Sequence, residues 1–135
     1  FSKEEKRIAN DASYILGIFG LSDYASEIAS SLPYGLQRRL EIARAVVSRP
    51  EVLLLDEPAA GMNPSEIAEL DALIQLVRST FNVTILLIEH QMRLVMGICD
   101  RVLVLDFGIT IAHGRPDEIR NNPKVLEAYF GDEAG

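Results

Sequence analysis

Two adjacent carboxylates, Asp56 and Glu57, follow the apolar run Val52-Leu53-Leu54-Leu55 and precede Pro58. An uninterrupted apolar run of this length suits a strand buried on both faces of a parallel sheet. Such a strand delivers the two acids to the carboxyl edge of the sheet, where open α/β sheets hold their ligands. Successive strand residues point to opposite faces, so the two acids are expected to divide the work. One can hold a metal while the other faces a reactant. Nucleotide hydrolysis needs that arrangement: an acid for Mg²⁺, and an acid that orients or deprotonates water. The plain alternative is a strand that merely ends in a polar turn, and the flanking sequence weighs against it. A second apolar run, Val83-Thr84-Ile85-Leu86-Leu87-Ile88, ends in Glu89-His90, which puts an imidazole just past another strand end. A third stretch, Leu32-Pro33-Tyr34-Gly35-Leu36-Gln37, is a glycine-bearing turn leading into a helix. A helix N-terminus offers free N–H groups and the positive end of the dipole, a natural place for phosphate, although most such ends bind nothing.

The positioning elements follow from periodicity. Ile8, Ala12, Ile15, Leu16 and Phe19 keep helical spacing, and Gly20 ends that helix. A short second helix is expected from Leu21 to about Ile28. Pro33 and Gly35 should form a turn, followed by a helix from about Leu36 to Ser48 with Leu36, Leu40, Ala43 and Val47 on its apolar stripe. Arg38, Arg39 and Arg44 read as its solvated face. After the strand that begins at Glu51 comes the small-residue loop Ala59-Ala60-Gly61-Met62-Asn63-Pro64. Ser65 is the expected N-cap of a helix to about Thr80, with Ile67, Leu70, Leu73, Ile74 and Val77 on its inner face and Asn82 as its breaker. The strand Val83–Ile88, a helix over 91–98 and a strand over Arg101–Asp106 continue the alternation. Phe107-Gly108 reads as a tight turn into a short antiparallel edge strand, Ile109–Ala112. Helices from Pro116 to about Arg120 and from about Lys124 to Phe130 close the chain before a polar tail from Gly131. This is an α/β pattern, and right-handed crossovers make its successive strands parallel.

Composition narrows the class. The 135 residues suffice for one modest domain, with 48% hydrophobic and 24% charged content. A formal net charge of -7 argues against nucleic acid or anionic lipid as the main partner. The single cysteine, Cys99, excludes an internal disulfide and points to a reducing compartment. No stretch of eighteen or more apolar residues and no signal peptide occur, so the chain is expected to be soluble by itself, with docking to a membrane protein left open. A start at Phe1 rather than Met is that expected of a fragment or a processed product.

Taken together, Leu32 through Ala45, Leu55-Asp56-Glu57-Pro58, Asn63-Pro64 and Ile88-Glu89-His90 resemble the second half of an ABC-transporter ATPase subunit, in family order and over essentially the whole chain. The run Tyr-Gly-x-Gln-Arg-Arg-Leu-Glu-Ile-Ala-Arg, the loop Ala-Ala-Gly-x-Asn-Pro and the tail Arg-Asn-Asn-Pro resemble the LivG-like branch, the ATPases of branched-chain amino acid importers. The resemblance implies a partial P-loop NTPase (RecA-like) parallel-sheet core over residues 50–135, with 1–49 the remainder of a helical subdomain that faces a membrane partner. It implies that Asp56 acts on Mg²⁺ through water, that Glu57 polarises the attacking water and that His90 contacts the γ-phosphate of ATP. It implies that Leu32, Pro33, Tyr34, Gly35, Leu36 and Gln37 form the signature loop, which reaches ATP across a dimer, and that Asn63 lies in a loop linking the two sites. The implied partners are transmembrane permease subunits and a second ABC ATPase subunit, at the cytoplasmic face of the inner membrane.

Two departures carry weight. Where the usual signature reads Leu-Ser-Gly-Gly-Gln, this chain has Leu32-Pro33-Tyr34-Gly35-Leu36. Pro33 supplies neither a hydroxyl nor an N–H. The sequence also contains no Gly-x-x-x-x-Gly-Lys-Ser/Thr, the loop that cradles phosphates in this superfamily. The chain alone is therefore expected not to turn over ATP. An ATPase for another cargo, such as lipopolysaccharide or an amide, and a non-catalytic interaction module are the alternatives.

Overall fold

The computed structural model describes residues 2–130; the expected polar tail from Gly131 lies outside them. The chain divides into two compact units, Phe1–Ile88 and Glu89–Gly135.

The first unit opens with helix α1, Lys3–Ile18. Ser2 and Glu5 form a reciprocal capping box at its start, and Gly20, at φ +67°, supplies the left-handed residue just beyond its end. No α-helix forms over the next segment, contrary to the expectation for Leu21–Ile28. Single 3₁₀ turns at Ser22–Tyr24 and Ala29–Ser31 take its place. The reason lies in the burial: Leu21 is buried while Tyr24 and Ile28 are exposed, so the segment lacks a continuous inner face on which a helix could form. Helix α2 spans Tyr34–Val46, with Pro33 as its N-cap residue. Gly35 therefore lies in the first helical turn and not in a preceding loop. The buried stripe of α2 is Ile42, Ala43 and Val46; Leu36 and Leu40 are half-buried, and Val47 is exposed.

Strand β1, Val52–Asp56, pairs in parallel with strand β2, Thr84–Ile88, in the register Leu54↔Leu86 and Asp56↔Ile88. Between them runs α3, Pro64–Phe81, whose buried residues are the five expected: Ile67, Leu70, Leu73, Ile74 and Val77. Its cap is Asn63, not Ser65. Asn63 Oδ1 accepts from the Glu66 N–H at 2.9 Å, Glu66 returns the bond to the Asn63 N–H at 2.9 Å, and Pro64 occupies the first helical position. Asn82 ends α3 in the left-handed conformation.

The strands are not buried on both faces as their apolar runs led us to expect. Leu53 and Leu55 are buried, but the opposite face of β1 and β2 leaves Leu54 at 69% and Leu86 at 58% exposure, beside Val52 and Ile88. Only two strands form this sheet, and among the described residues nothing covers that face. An uncovered apolar sheet face of this kind drives association. We expect the 135-residue chain, prepared alone, to self-associate as its concentration rises, and Leu54→Asp combined with Leu86→Lys to shift it toward monomer. Sedimentation velocity reads both, and a wild-type chain that stays monomeric at high concentration would contradict this.

In the second unit, α4 (Met92–Ile98) buries Leu94, Val95 and Ile98. Strands β3 (Val102–Asp106) and β4 (Ile109–Gly114) form an antiparallel hairpin with a bulge beyond Val104. Phe107 and Gly108 make the turn, both at positive φ as a two-residue hairpin loop of matching twist requires. β3 pairs only with β4 among the described residues, so the parallel alternation stops at β2. Val104, Ile119 and Val125 form the core here, with α5 (Pro116–Arg120) contributing Ile119. The last segment is helical over Pro123–Val125 and π-helical over Leu126–Phe130, and the Tyr129 hydroxyl donates to the Leu105 carbonyl.

Candidate functional site

Asp56 is the last residue of β1 and lies on the same exposed face as Val52 and Leu54. Glu57 is no longer in the strand. It sits at φ +46°, and this left-handed residue, rather than strand alternation, separates the two acids. A non-glycine residue in this region carries about 1 kcal/mol or more of strain, and such strain is held where the surroundings determine the backbone. Here the Glu57 N–H still donates to the Ile88 carbonyl at 2.8 Å, prolonging the ladder by one bond, while the Glu57 carbonyl accepts from the Ala60 N–H at 3.1 Å. Pro58 and Ala59 are buried directly after it, so the turn is anchored on both sides. Both carboxylates are exposed. Asp56 opens onto a shallow cleft shared with Arg38, Glu41, Ile42, Leu54 and Pro58.

The structure thus adds the α2 stretch to the paired strands β1 and β2. α2, with its N-terminal loop, stands beside the loop after β1. Tyr34 donates its hydroxyl hydrogen to the Ala60 carbonyl at 2.8 Å. Arg38 Nε donates to that hydroxyl at 2.9 Å and its guanidinium lies 5.2 Å from the ring centroid. Arg38, read as solvated, is in fact tied to Tyr34 and Glu41. The bond to Tyr34, chiefly, holds the guanidinium pKa above its ordinary value. The Gln37 amide donates to the Leu32 carbonyl at 2.8 Å and the Ser30 carbonyl at 3.2 Å, closing the turn around Leu32 and Pro33. Pro33 makes no side-chain cap, so the N–H groups of the first turn, those of Tyr34 and Gly35 among them, have no capping side chain. A cleft lined by Pro33, Gly35, Leu36, Met62 and Glu66 lies beside this helix start. Asn63 is committed to capping α3 through its side chain.

His90 is exposed, in the second unit, two residues after β2 ends. Its N–H is held by the Glu89 carboxylate at 3.0 Å. The Tyr34–Ala60 bond escaped the sequence, since nothing local marks a contact spanning 26 residues. The Asn63 cap did have a signal, the Asn-Pro-Ser-Glu spacing of a capping box.

The ABC transporter family model matches residues 2–60, and that of the branched-chain amino acid ATP-binding cassette transporter matches residues 110–135. A cassette of solved structure, the ADP conformation of MJ1267, an ATP-binding cassette of an ABC transporter, superposes with a TM-score of 0.83 at 29% identity, over 93% of this chain and 50% of that one. The chain belongs to the ABC-transporter ATP-binding family and carries part of its P-loop NTPase fold.

Within that family it is most informatively set beside two curated relatives. The high-affinity branched-chain amino acid transport ATP-binding protein LivG of Salmonella typhimurium is 53% identical over 132 residues, covering 98% of this chain and 52% of LivG. The corresponding protein BraF of Pseudomonas aeruginosa is 48% identical over 132 residues, with the same coverage. The chain spans about half the length of these relatives.

Proposed function

We propose that this chain is part of the ATP-hydrolysing motor subunit of an ABC importer for branched-chain amino acids. The observation that carries the reading is the 53% identity to LivG over 98% of the chain, with Asp56, Glu57 and His90 all present just at or beyond strand ends. In this reading residues 1–49 belong to the helical subdomain that meets a transmembrane permease, and 50–135 to the ATPase core. A second ATPase subunit completes the composite site, at the cytoplasmic side of the membrane.

The donor set fits ATP with Mg²⁺ in a specific way. No group of three metal-ligating side chains occurs among the described residues. A lone exposed acid at the end of β1 suits a metal already carried by nucleotide phosphates, approached through water. When bound, Mg²⁺ would neutralise charge on the phosphates. Asp56 would hold it through that water. Glu57, turned away by its left-handed backbone, would accept the proton of the attacking water or orient it. His90 would contact the γ-phosphate. Leu32, Pro33, Tyr34, Gly35, Leu36 and Gln37 would face the nucleotide bound mainly by the second subunit, through the N–H groups of the first turn of α2 rather than a serine hydroxyl. Asn63 would lie in the loop between the two sites. Without a Gly-x-x-x-x-Gly-Lys-Ser/Thr loop, the 135 residues alone would not bind ATP tightly.

The test is ATP-driven uptake by the complete subunit with its permease in proteoliposomes. Uptake of leucine, isoleucine or valine is expected. Uptake only of an unrelated cargo moves the reading to another transporter, and failure of the subunit to associate with any permease overturns it.

A further inference from the structure

The contact between Tyr34 and Ala60 is more than a surface decoration. Tyr34 is 48% exposed, so burial alone does not explain its place at the first position of α2. Its hydroxyl has two partners, one on each side of the proton. Arg38 Nε donates to it at 2.9 Å, which directs the phenolic hydrogen to the Ala60 carbonyl at 2.8 Å. Arg38 is steadied in turn by Glu41 at 3.2 Å. A chain of donors polarised in one direction strengthens each bond in it. The ring abuts the next residue, Gly61: a Cβ built there would lie 3.6 Å from Tyr34 Cε1. Gly61 is at φ +75°, a conformation other residues adopt only with strain.

Ala60 is the hinge of this arrangement. Its N–H donates to the Glu57 carbonyl at 3.1 Å, while its own carbonyl is held by Tyr34. Glu57, at φ +46°, needs its turn fixed from outside, because an unstrained backbone would leave this region. We propose that Tyr34 is a positioning residue for Glu57: through the Ala60 carbonyl it locks the 57–60 turn against the N-terminus of α2. This rests on the reading of Glu57 as the hydrolytic carboxylate. A carboxylate displaced by a fraction of an ångström from water loses turnover and not nucleotide affinity.

The experiment compares the complete wild-type subunit, assembled with its permease, with Tyr34→Phe, which keeps the ring and loses the hydroxyl. The expected result is a fall in kcat of about five- to tenfold, the value of one hydrogen bond. KM for ATP is expected to stay within about twofold, and the melting temperature to fall by only a few degrees, since the ring remains and one hydrogen bond is lost. Exchange of the Ala60 amide should accelerate. Arg38→Lys, which retains charge but removes the Nε donor, should lie between the two. An unchanged kcat in Tyr34→Phe overturns the proposal, and so does a loss that follows a raised KM or global unfolding at the assay temperature. A wild-type subunit without turnover is a different outcome: it overturns the motor reading, and this proposal with it.

Discussion

In the complete subunit, Glu57→Gln is expected to lower steady-state ATP hydrolysis by about a hundredfold or more while leaving nucleotide binding intact. The magnitude is that of losing a positioned general base. The change is nearly isosteric, and the main-chain bonds of the turn, Glu57 N–H to Ile88 carbonyl and Ala60 N–H to Glu57 carbonyl, do not depend on the carboxylate. The amide keeps the shape and the acceptor oxygen but cannot take a proton from water. ATP would therefore still close the head-to-tail pair of ATPase subunits, which requires it to favour the closed form by several kcal/mol, and the pair would stay closed. A trapped dimer on size exclusion with Mg²⁺ and ATP, beside lost phosphate release, is the expected readout. A variant that hydrolyses at more than a tenth of the wild-type rate would remove Glu57 from the role.

The largest stability effect is expected at Phe19. This residue is 1% exposed and follows the last turn of α1. Its N–H bonds to Ile15, and its carbonyl accepts from Arg39 Nη1 at 3.5 Å. Phe19→Ala leaves the backbone bonds possible and removes a whole buried ring, so the cost is transfer plus cavity, about 3–5 kcal/mol. A domain of ordinary stability, about 5–15 kcal/mol, loses a large part of its margin. Urea unfolding followed by tyrosine fluorescence is suitable, because three of the four tyrosines, Tyr14, Tyr24 and Tyr34, lie in the unit that contains Phe19. A midpoint shifted by less than the equivalent of about 1 kcal/mol would show that the site collapses around the smaller side chain.

Much of this was readable from the chain itself, for definite reasons. The inner face of α3 was correct at all five positions because its apolar residues recur at helical spacing over eighteen residues. The parallel pairing of β1 and β2 followed from two apolar runs separated by a helix. The Phe107-Gly108 turn followed from glycine between two strand patterns. What failed did so where tertiary surroundings decide. The apolar run of β1 is the pattern of a strand covered on both sides, yet only the Leu53 and Leu55 face is buried. The run records what the strand can bury, and this chain has no element among its described residues to cover the other side. Leu21–Ile28 has helical propensity but no inner face. Glu57 left the strand because its turn is fixed by Ala60 and Ile88, partners three and thirty-one residues away in sequence, of which the local pattern carries no trace. The same holds for Tyr34: its type and its place beside the turn that opens a helix were visible, its partner was not.

The central claim is that the acids at the end of β1, Asp56 and Glu57, belong to an ATP-hydrolysing subunit whose phosphate cradle is not in these residues. Steady-state hydrolysis of ATP by the complete subunit with its permease, with Mg²⁺ and with the metal chelated, tests it most directly, with the 135-residue chain assayed in parallel. Mg²⁺-dependent turnover is expected of the assembled subunit, and none of the chain alone. Absence of turnover in the complete assembly, or hydrolysis and micromolar ATP binding by the isolated chain, would contradict it.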